Sequence, residues 1–217
     1  MSSNIGVMGH PIGHTKSPVF QQAGLDELGI NETFEAWDVA PDKLEAKVAT
    51  FRESGFIACC VTLPHKQAVI PMVDELTEAA QAVGAVNWIF NRDGTLVGHN
   101  TDGSGFLRAL KEKAGFDPKG ADAVVFGAGG AARAIVYALK GAGVNRLTIA
   151  NRTVEKAQAL ASDFSEGRFK PNAVGMSRDE LSNCVPYATL LVNTTSLGMA
   201  GGPAEMVTPV TADMISA

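Results

Sequence analysis

Ala123-Val124-Val125-Phe126-Gly127-Ala128-Gly129-Gly130-Ala131-Ala132-Arg133 is the stretch that decides the fold. Four apolar residues rich in Val and Phe read as a buried strand. Gly127-x-Gly129-x-x-Ala132 ends that strand and opens a helical run to about Leu139. A dinucleotide fingerprint needs this strand–turn–helix setting. The first glycine permits the tight turn, the second lets a pyrophosphate approach the backbone, and Ala132 allows close helix–strand packing. A pyrophosphate placed there meets the positive end of the helix. Gly127, Ala128, Gly129, Gly130 and Ala131 are therefore candidate cofactor-binding positions. A tight turn without a ligand has the same local signature, so the surrounding pattern has to decide.

The next strand–helix unit bears on which dinucleotide. Arg146 to Ala150 reads as a strand and Val154 to Ser162 as a helix. Sites for NAD usually place Asp or Glu at the end of that strand, to bond the ribose hydroxyls. This chain has Asn151-Arg152-Thr153 there, with Lys156 three residues on. An acidic residue repels a 2′-phosphate, whereas a guanidinium bonds it in plane and an ammonium adds charge. Positive charge at a helix N-terminus is mildly unfavourable on its own, which tilts these residues toward a ligand. NADP is thus the expected cofactor, with Asn151, Arg152, Thr153 and Lys156 among its binding residues.

Outward from this core, strand and helix signals alternate along the chain. Ile5 to Met8 reads as a short buried strand. A helix follows from Ser17, as its N-cap, to about Leu28, with Pro18 at the first helical position and Gly29 as the stop. Thr33 to Val39 alternates as a strand, and Pro41 to about Ser54 has helical spacing. Phe56 to Val61 is an apolar run that suits a strand covered on both faces. Pro64 to Leu76 and Thr77 to Val83 read as two short helices. Ala85 to Phe90 and Thr95 to Val97 read as a hairpin across Asp93-Gly94. A helix is expected after Asp102 to about Ala114, with further strands over Phe169 to Val174 and Leu190 to Asn193. Asp213-Met214-Ile215 suits the start of one more. Gly115-Phe116-Asp117-Pro118-Lys119-Gly120 has the composition of a domain junction.

Alternating strands and helices imply mainly parallel sheets with helices on both faces. The expected fold class is α/β. An N-terminal α/β substrate-binding catalytic domain spans 1–103, and a Rossmann-type dinucleotide-binding domain spans 104–217, with a cleft between them.

Composition limits the function classes. The 217 residues are 46% hydrophobic and 19% charged, as in globular, core-forming chains. A net charge of −5 with interspersed signs lacks the basic face that nucleic-acid binding needs. No apolar run reaches the roughly 20 residues of a membrane helix. Met1-Ser2-Ser3-Asn4 lacks the features of a signal peptide, so a cytoplasmic location is expected. Cys59 and Cys60 are adjacent, which strains a disulfide, and with Cys184 they lack zinc-site spacing. All three read as reduced thiols. His10 and His14 are separated by Pro11 and Gly13, so a shared helix face, and with it a metal site, is not expected.

Polar residues in the N-terminal half gather at strand ends. Gly9-His10-Pro11-Ile12-Gly13-His14-Thr15-Lys16-Ser17-Pro18 puts two hydroxyls at a loop–helix junction. Val61-Thr62-Leu63-Pro64-His65-Lys66 puts a threonine and a lysine just past a buried strand. Gly84-Ala85-Val86-Asn87 and Gly98-His99-Asn100-Thr101-Asp102-Gly103 add an amide and a carboxylate. In open α/β sheets ligands collect beyond the carboxyl ends of strands. Taken singly, Lys66 reads as a surface lysine and Asp102 as a helix cap.

Taken together, these four segments, the Gly127 turn, Asn151-Arg152-Thr153 and Val192-Asn193-Thr194-Thr195-Ser196-Leu197-Gly198-Met199 resemble the shikimate dehydrogenase family. The match runs in order from about residue 5 to 200. The resemblance implies an oxidoreductase that interconverts 3-dehydroshikimate and shikimate with NADP, in the chorismate route to aromatic amino acids. It implies that Thr15 and Ser17 hold the substrate carboxylate, that Thr62 and Asn87 bond ring hydroxyls, and that Thr195 lies on the cofactor side. Lys66 and Asp102 would flank the hydroxyl being oxidised. The cofactor takes the hydride, while Lys66 takes the proton and Asp102 orients it. The implied partner is a small molecule, with no nucleic acid, membrane or metal involved; a homodimer is compatible with the chain.

Three positions depart from the family pattern. Cys60 stands in place of an asparagine, His99 in place of an acidic residue and Trp88 in place of a small hydroxyl residue. These changes bear on which cyclic acid is bound, and keep open a quinate/shikimate dehydrogenase using NAD. Family members also continue past this chain's end, with helices that return to the first domain carrying a substrate-contacting glutamine. A shortened form is expected to be less stable and poorly active, which keeps open a non-catalytic binder of the same ligands.

Overall fold

A computed structural model of the chain describes residues 4–53, 55–200 and 204–215. The backbone divides into two compact units, Met1–Thr101 and Asp102–Ala217.

The first unit contains β1 (Ile5–Gly9), α1 (Ser17–Glu27), β2 (Phe34–Asp38), α2 (Leu44–Thr50), β3 (Ala58–Val61), β4 (Glu75–Leu76), α3 (Glu78–Val83), β5 (Trp88–Arg92) and β6 (Thr95–His99). Its sheet runs in the order β2-β1-β3-β5-β6-β4. The β2-β1-β3 half is parallel, while β5 runs antiparallel to both β3 and β6. The reversal comes from the hairpin, where Asp93 (φ 54°) and Gly94 (φ 90°) both take the positive φ that a tight two-residue turn requires. β1 is buried at every position because apolar clusters cover both faces. On one face Met8, Cys59, Val61 and Ile89 pack with Leu44, Val48 and Phe51 around α2. On the other, Ile5, Val7 and Ala58 pack with Leu25 of α1.

The second unit contains α4 (Asp102–Ala114), β7 (Asp122–Phe126), α5 (Gly130–Ala142), β8 (Arg146–Ala150), α6 (Val154–Phe164), β9 (Asn172–Val174), α7 (Arg178–Ser182) and β10 (Leu190–Asn193). All four strands are parallel, in the order β10-β7-β8-β9. Ile135, Val136 and Leu139 of α5 and Leu160 and Phe164 of α6 are buried against Val125, Leu147 and Ile149 on one face. Leu181 and Val185 cover Val124 and Phe126 on the other. Each such aliphatic burial stabilises by about 1.5–3 kcal/mol. Strand order reverses direction between β7 and β10, the switch point at which doubly wound sheets open a ligand crevice.

Several expectations need correction. Ser17 is the first helical residue of α1 rather than its cap; Lys16 takes the cap position, with no side-chain cap bond. Pro64 to Leu76 is not a helix but a chain of turns with a short 3-10 helix at Ile70–Met72, ending in β4 beside β6. The Pro41 helix starts as a 3-10 turn at Pro41–Lys43 and α2 ends at Thr50; Ser54 lies outside the described residues. The strand expected from Phe169 is confined to Asn172–Val174. The Asp213 segment forms a 3-10 helix, Ala212–Met214, instead of a strand. Residues 115–120 join α4 to β7 inside the second unit, whereas the units divide after Thr101. Helix α7 was not anticipated, although Ser177-x-x-Glu180 is a capping box in which each side chain bonds the other's backbone.

Candidate functional site

Backbone hydrogen bonds assemble the polar residues of the first unit at the carboxyl rim of its sheet. Thr62 N–H donates to Met8 at 2.9 Å and Val61 N–H to Asn87 at 2.8 Å. Asn87 N–H donates to His99 at 3.0 Å, and Val86 N–H to the Lys66 carbonyl at 2.7 Å. Thr62, Lys66 and Asn87 are thereby neighbours on one rim. Gly9, at the end of β1, has no room for a side chain, since a Cβ would lie 2.5 Å from the Thr62 methyl. The loop after it lies against the same turn, with His10 N–H bonded to Leu63 at 2.9 Å. Farther along that loop, Thr15 Oγ1 donates to Ser17 Oγ at 3.2 Å and accepts from Ser17 N–H at 3.2 Å. Paired hydroxyls of this kind suit a two-oxygen anion.

Asn87 is 7% exposed and clamps Thr101 from both ends of its amide. Its Nδ2 donates to Thr101 Oγ1 and its Oδ1 accepts from Thr101 N–H, both at 2.9 Å. Asp102, the next residue, is the first of α4. Lys66 belongs to the first unit and Asp102 to the second. Both are half-buried. Asn100, for which sequence reasoning had no role, is buried with Nδ2 bonded to the Ala85 carbonyl at 3.0 Å.

In the second unit the glycine-rich turn lies over the switch point. Gly127 has φ 113°, open in practice to glycine alone, and a Cβ there would lie 2.5 Å from Thr194 Oγ1. Thr194 in turn donates N–H and Oγ1 to the Phe126 carbonyl at 2.9 and 2.6 Å, which joins the end of β7 to that of β10. Gly129 caps α5 with an extended backbone and no side-chain bond, so its helix's first N–H groups lack a side-chain acceptor. A Cβ on Gly129 meets nothing within 4 Å. The protein's own packing therefore does not call for glycine at 129, while a pyrophosphate lying against the backbone does. Ala132 is fully buried, as close packing on β7 requires.

A hollow of about 300 Å³ adjoins this turn, lined by Ala150, Asn151, Arg152, Met176, Thr195, Ser196 and Leu197. Arg152, Thr153 and Lys156 are exposed. Asn151 Nδ2 is held by the Thr153 carbonyl at 2.8 Å. Thr195 Oγ1 donates to Asn193 Oδ1 at 2.7 Å and accepts from Leu197 N–H at 3.1 Å, so its hydroxyl shapes the loop that walls the hollow. Met176, Ser196 and Leu197 line it without having been assigned a site role. Ala128, Gly130 and Ala131 fall in the turn and first turn of α5 as expected. Arg133, from the same motif, turns away to Asp163 at 2.7 Å. No hydrogen bond joins Arg152 or Lys156 to an acidic partner among those described, whereas Arg146 holds Asp122 below the usual carboxylate range. Burial raises the Cys59 and Cys184 thiols. Among the described residues no group of three or more His, Cys, Asp or Glu stands where it could share a metal ion.

Known proteins match both units. Residues 7–89 match the family model of the shikimate dehydrogenase substrate binding domain, and residues 109–208 that of shikimate / quinate 5-dehydrogenase. A shikimate dehydrogenase (NADP(+)) from Methanopyrus kandleri is 43% identical over 213 residues, covering 97% of this chain and 73% of its own length. The crystal structure of shikimate 5-dehydrogenase from Listeria monocytogenes, in complex with shikimate and NAD, is 33% identical with a TM-score of 0.85, over 97% of this chain and 74% of that one. That of the Thermus thermophilus enzyme, in complex with NADP(H) and shikimate, is 35% identical with a TM-score of 0.83, over 98% and 74%. The chain thus spans about three-quarters of the length of these relatives. With both halves matched in order and 43% identity across nearly all of its length, this chain belongs to the shikimate dehydrogenase family.

Proposed function

We propose that this chain is an NADP-dependent oxidoreductase interconverting 3-dehydroshikimate and shikimate. The observation that carries the reading is the convergence of Thr62, Lys66 and Asn87 on one sheet rim, combined with an α5 N-terminus whose Gly129 has no packing reason to be glycine. Residues 1–103 hold the substrate and residues 104–217 the cofactor. Thr15 and Ser17 receive the substrate carboxylate, while Thr62 and Asn87 bond ring hydroxyls. The N–H groups of Gly129, Gly130 and Ala131 face the pyrophosphate, with Gly127 and Ala128 shaping the turn. Arg152 and Lys156 bind the 2′-phosphate; Asn151, Thr153 and Thr195 shape its surroundings.

When bound, NADP supplies the hydride acceptor. As the carbinol carbon loses hydride, Lys66 accepts the hydroxyl proton and Asp102 orients the amine; in the reverse direction the same amine returns the proton. The exposed cations at Arg152 and Lys156 support NADP over NAD. The Listeria relative, whose complex contains NAD, together with Cys60, Trp88 and His99, supports a second reading: a quinate/shikimate dehydrogenase that accepts NAD. A cytoplasmic, homodimeric enzyme is consistent with the family reading and with three free thiols.

Turnover followed by nicotinamide absorbance tests this, with shikimate and quinate, NADP and NAD, on the wild-type chain and Lys66→Ala. The expected result is turnover with shikimate and NADP, at least about tenfold better than with NAD, and a loss of about 10²- to 10⁴-fold in Lys66→Ala. Faster turnover of quinate with NAD selects the second reading. Stabilisation by shikimate without turnover of either acid makes the chain a binder.

A further inference from the structure

We propose that His65 is a positioning residue, whose imidazole fixes the turn 62–66 and so sets where the Lys66 amine stands. The inference rests on the catalytic reading of Lys66 above. His65 is 1% exposed. Its Nε2 lies 2.6 Å from the carbonyl oxygen of Val39, 26 residues away in sequence. A carbonyl can only accept, so Nε2 carries the proton in this bond. An apolar side chain would fill the same space without a donor, and would leave the Val39 carbonyl without this partner. Val39 is itself anchored, since its N–H donates to Gly9 at 3.0 Å.

The turn has no regular secondary structure to hold it. It is held instead by bonds to separate segments. Thr62 N–H binds Met8, His10 N–H binds the Leu63 carbonyl, and Val86 N–H binds the Lys66 carbonyl. These tie it to β1, to the loop after β1 and to the approach to β5. His65 adds the tie toward the segment after β2, and its own N–H closes back on the Thr62 carbonyl at 2.9 Å. Lys66 is therefore fixed from one side by Val86 and from the other by the imidazole of its neighbour. Without the imidazole the turn keeps its bonds to Met8, His10 and Val86, but the end that carries Lys66 loses its anchor on Val39, which shifts the amine more than it disturbs the cofactor turn in the other unit.

The test is a double-mutant cycle on the full chain. His65→Leu removes the donor, His65→Gln can offer an amide N–H to the same carbonyl, and each is made alone and with Lys66→Ala. His65→Leu is expected to lower kcat by about 10- to 100-fold, the scale of a misplacement of about 1 Å, while KM for NADP stays within about twofold. His65→Gln should recover most of that loss. With Lys66→Ala, His65→Leu should cost less than about twofold more, because a residue acting through Lys66 has nothing left to position. Equal fold losses in both backgrounds, or an unchanged kcat in His65→Leu, overturn the proposal. If His65→Leu does not fold, His65→Asn, whose amide falls short of Val39, replaces it in the same cycle. Absence of turnover in the wild-type chain overturns the catalytic reading, and this inference with it; turnover with additive losses overturns the inference alone.

Discussion

Gly127 and Gly129 are two positions apart and stand in different surroundings. At 127 the fold itself requires glycine, through a φ of 113° and the nearness of Thr194 Oγ1. At 129 the backbone is extended and a side chain has open space. Alanine substitutions should separate the two. Gly127→Ala is expected to destabilise by about 1–3 kcal/mol and to weaken NADP as well. Gly129→Ala should leave the melting midpoint nearly unchanged while weakening NADP by roughly tenfold or more, since at the proposed site the methyl group would occupy the approach to the pyrophosphate. Calorimetry and a binding titration on the two variants measure both effects. Equal melting losses would show that Gly129 serves the fold rather than a ligand. In the sequence the two glycines look alike, because a motif records residue identity and not what lies across the gap. The same limit applies to Asn87, whose amide was expected to face a ring hydroxyl and also clamps Thr101.

At the scale of elements, α4 meets α5 through Gly103, where a Cβ would lie 2.8 Å from the Ala134 carbonyl and 3.1 Å from the Ala138 Cβ. Gly103→Leu must push the helices apart and is expected to cost at least about 1–3 kcal/mol. Gly105, two residues on, is exposed with nothing within 4 Å, so Gly105→Ala should stabilise by about 0.5–1 kcal/mol through helix propensity. Denaturant unfolding of the two variants gives both signs, and a loss at both positions would mean that the close α4–α5 approach is not what constrains Gly103. Elements with strong local signals were legible: the Asp93-Gly94 hairpin, the strand before Gly127, and the helix stopped by Gly29. The stretch from Pro64 to Leu76 was not. Its apolar residues have helical spacing, yet the Lys66 carbonyl accepts from Val86 N–H, Asp74 N–H bonds to Leu96 and Glu75–Leu76 pairs with β6, and that tertiary pairing outweighs a weak local preference. Helix α7 was too short for periodicity to detect, though its capping box was in plain view.

For the molecule as a whole, acid sensitivity follows from its paired carboxylates. Arg146 depresses Asp122, Arg52 depresses Asp74, Lys140 depresses Glu166, and Thr211 with Arg178 depresses Asp213. A carboxylate whose folded pKa is depressed binds fewer protons when folded than when unfolded. Its contribution is fully present above the unfolded value and is lost as pH falls through the folded one. The melting midpoint should therefore stay level from neutral pH down to about 5 and fall below about 4. Asp122→Asn should flatten part of that fall, and a midpoint already declining between pH 7 and 6 would point to other groups. Because these pairs are exposed, added salt should shrink the effect.

The sequence by itself determined the α/β class, the glycine-rich turn after a buried strand, the cationic end of the next strand and the ordered motifs of the family. Each of these is written in residues a few positions apart, where backbone dihedral limits, helical and strand periodicity and side-chain charge act locally. Only the tertiary structure decided that β5 pairs antiparallel with β3, that Thr194 presses on Gly127, and that a buried His65 reaches Val39. Those features depend on which distant segments become neighbours. That choice comes from burying all the apolar faces at once, and no short stretch of chain carries it.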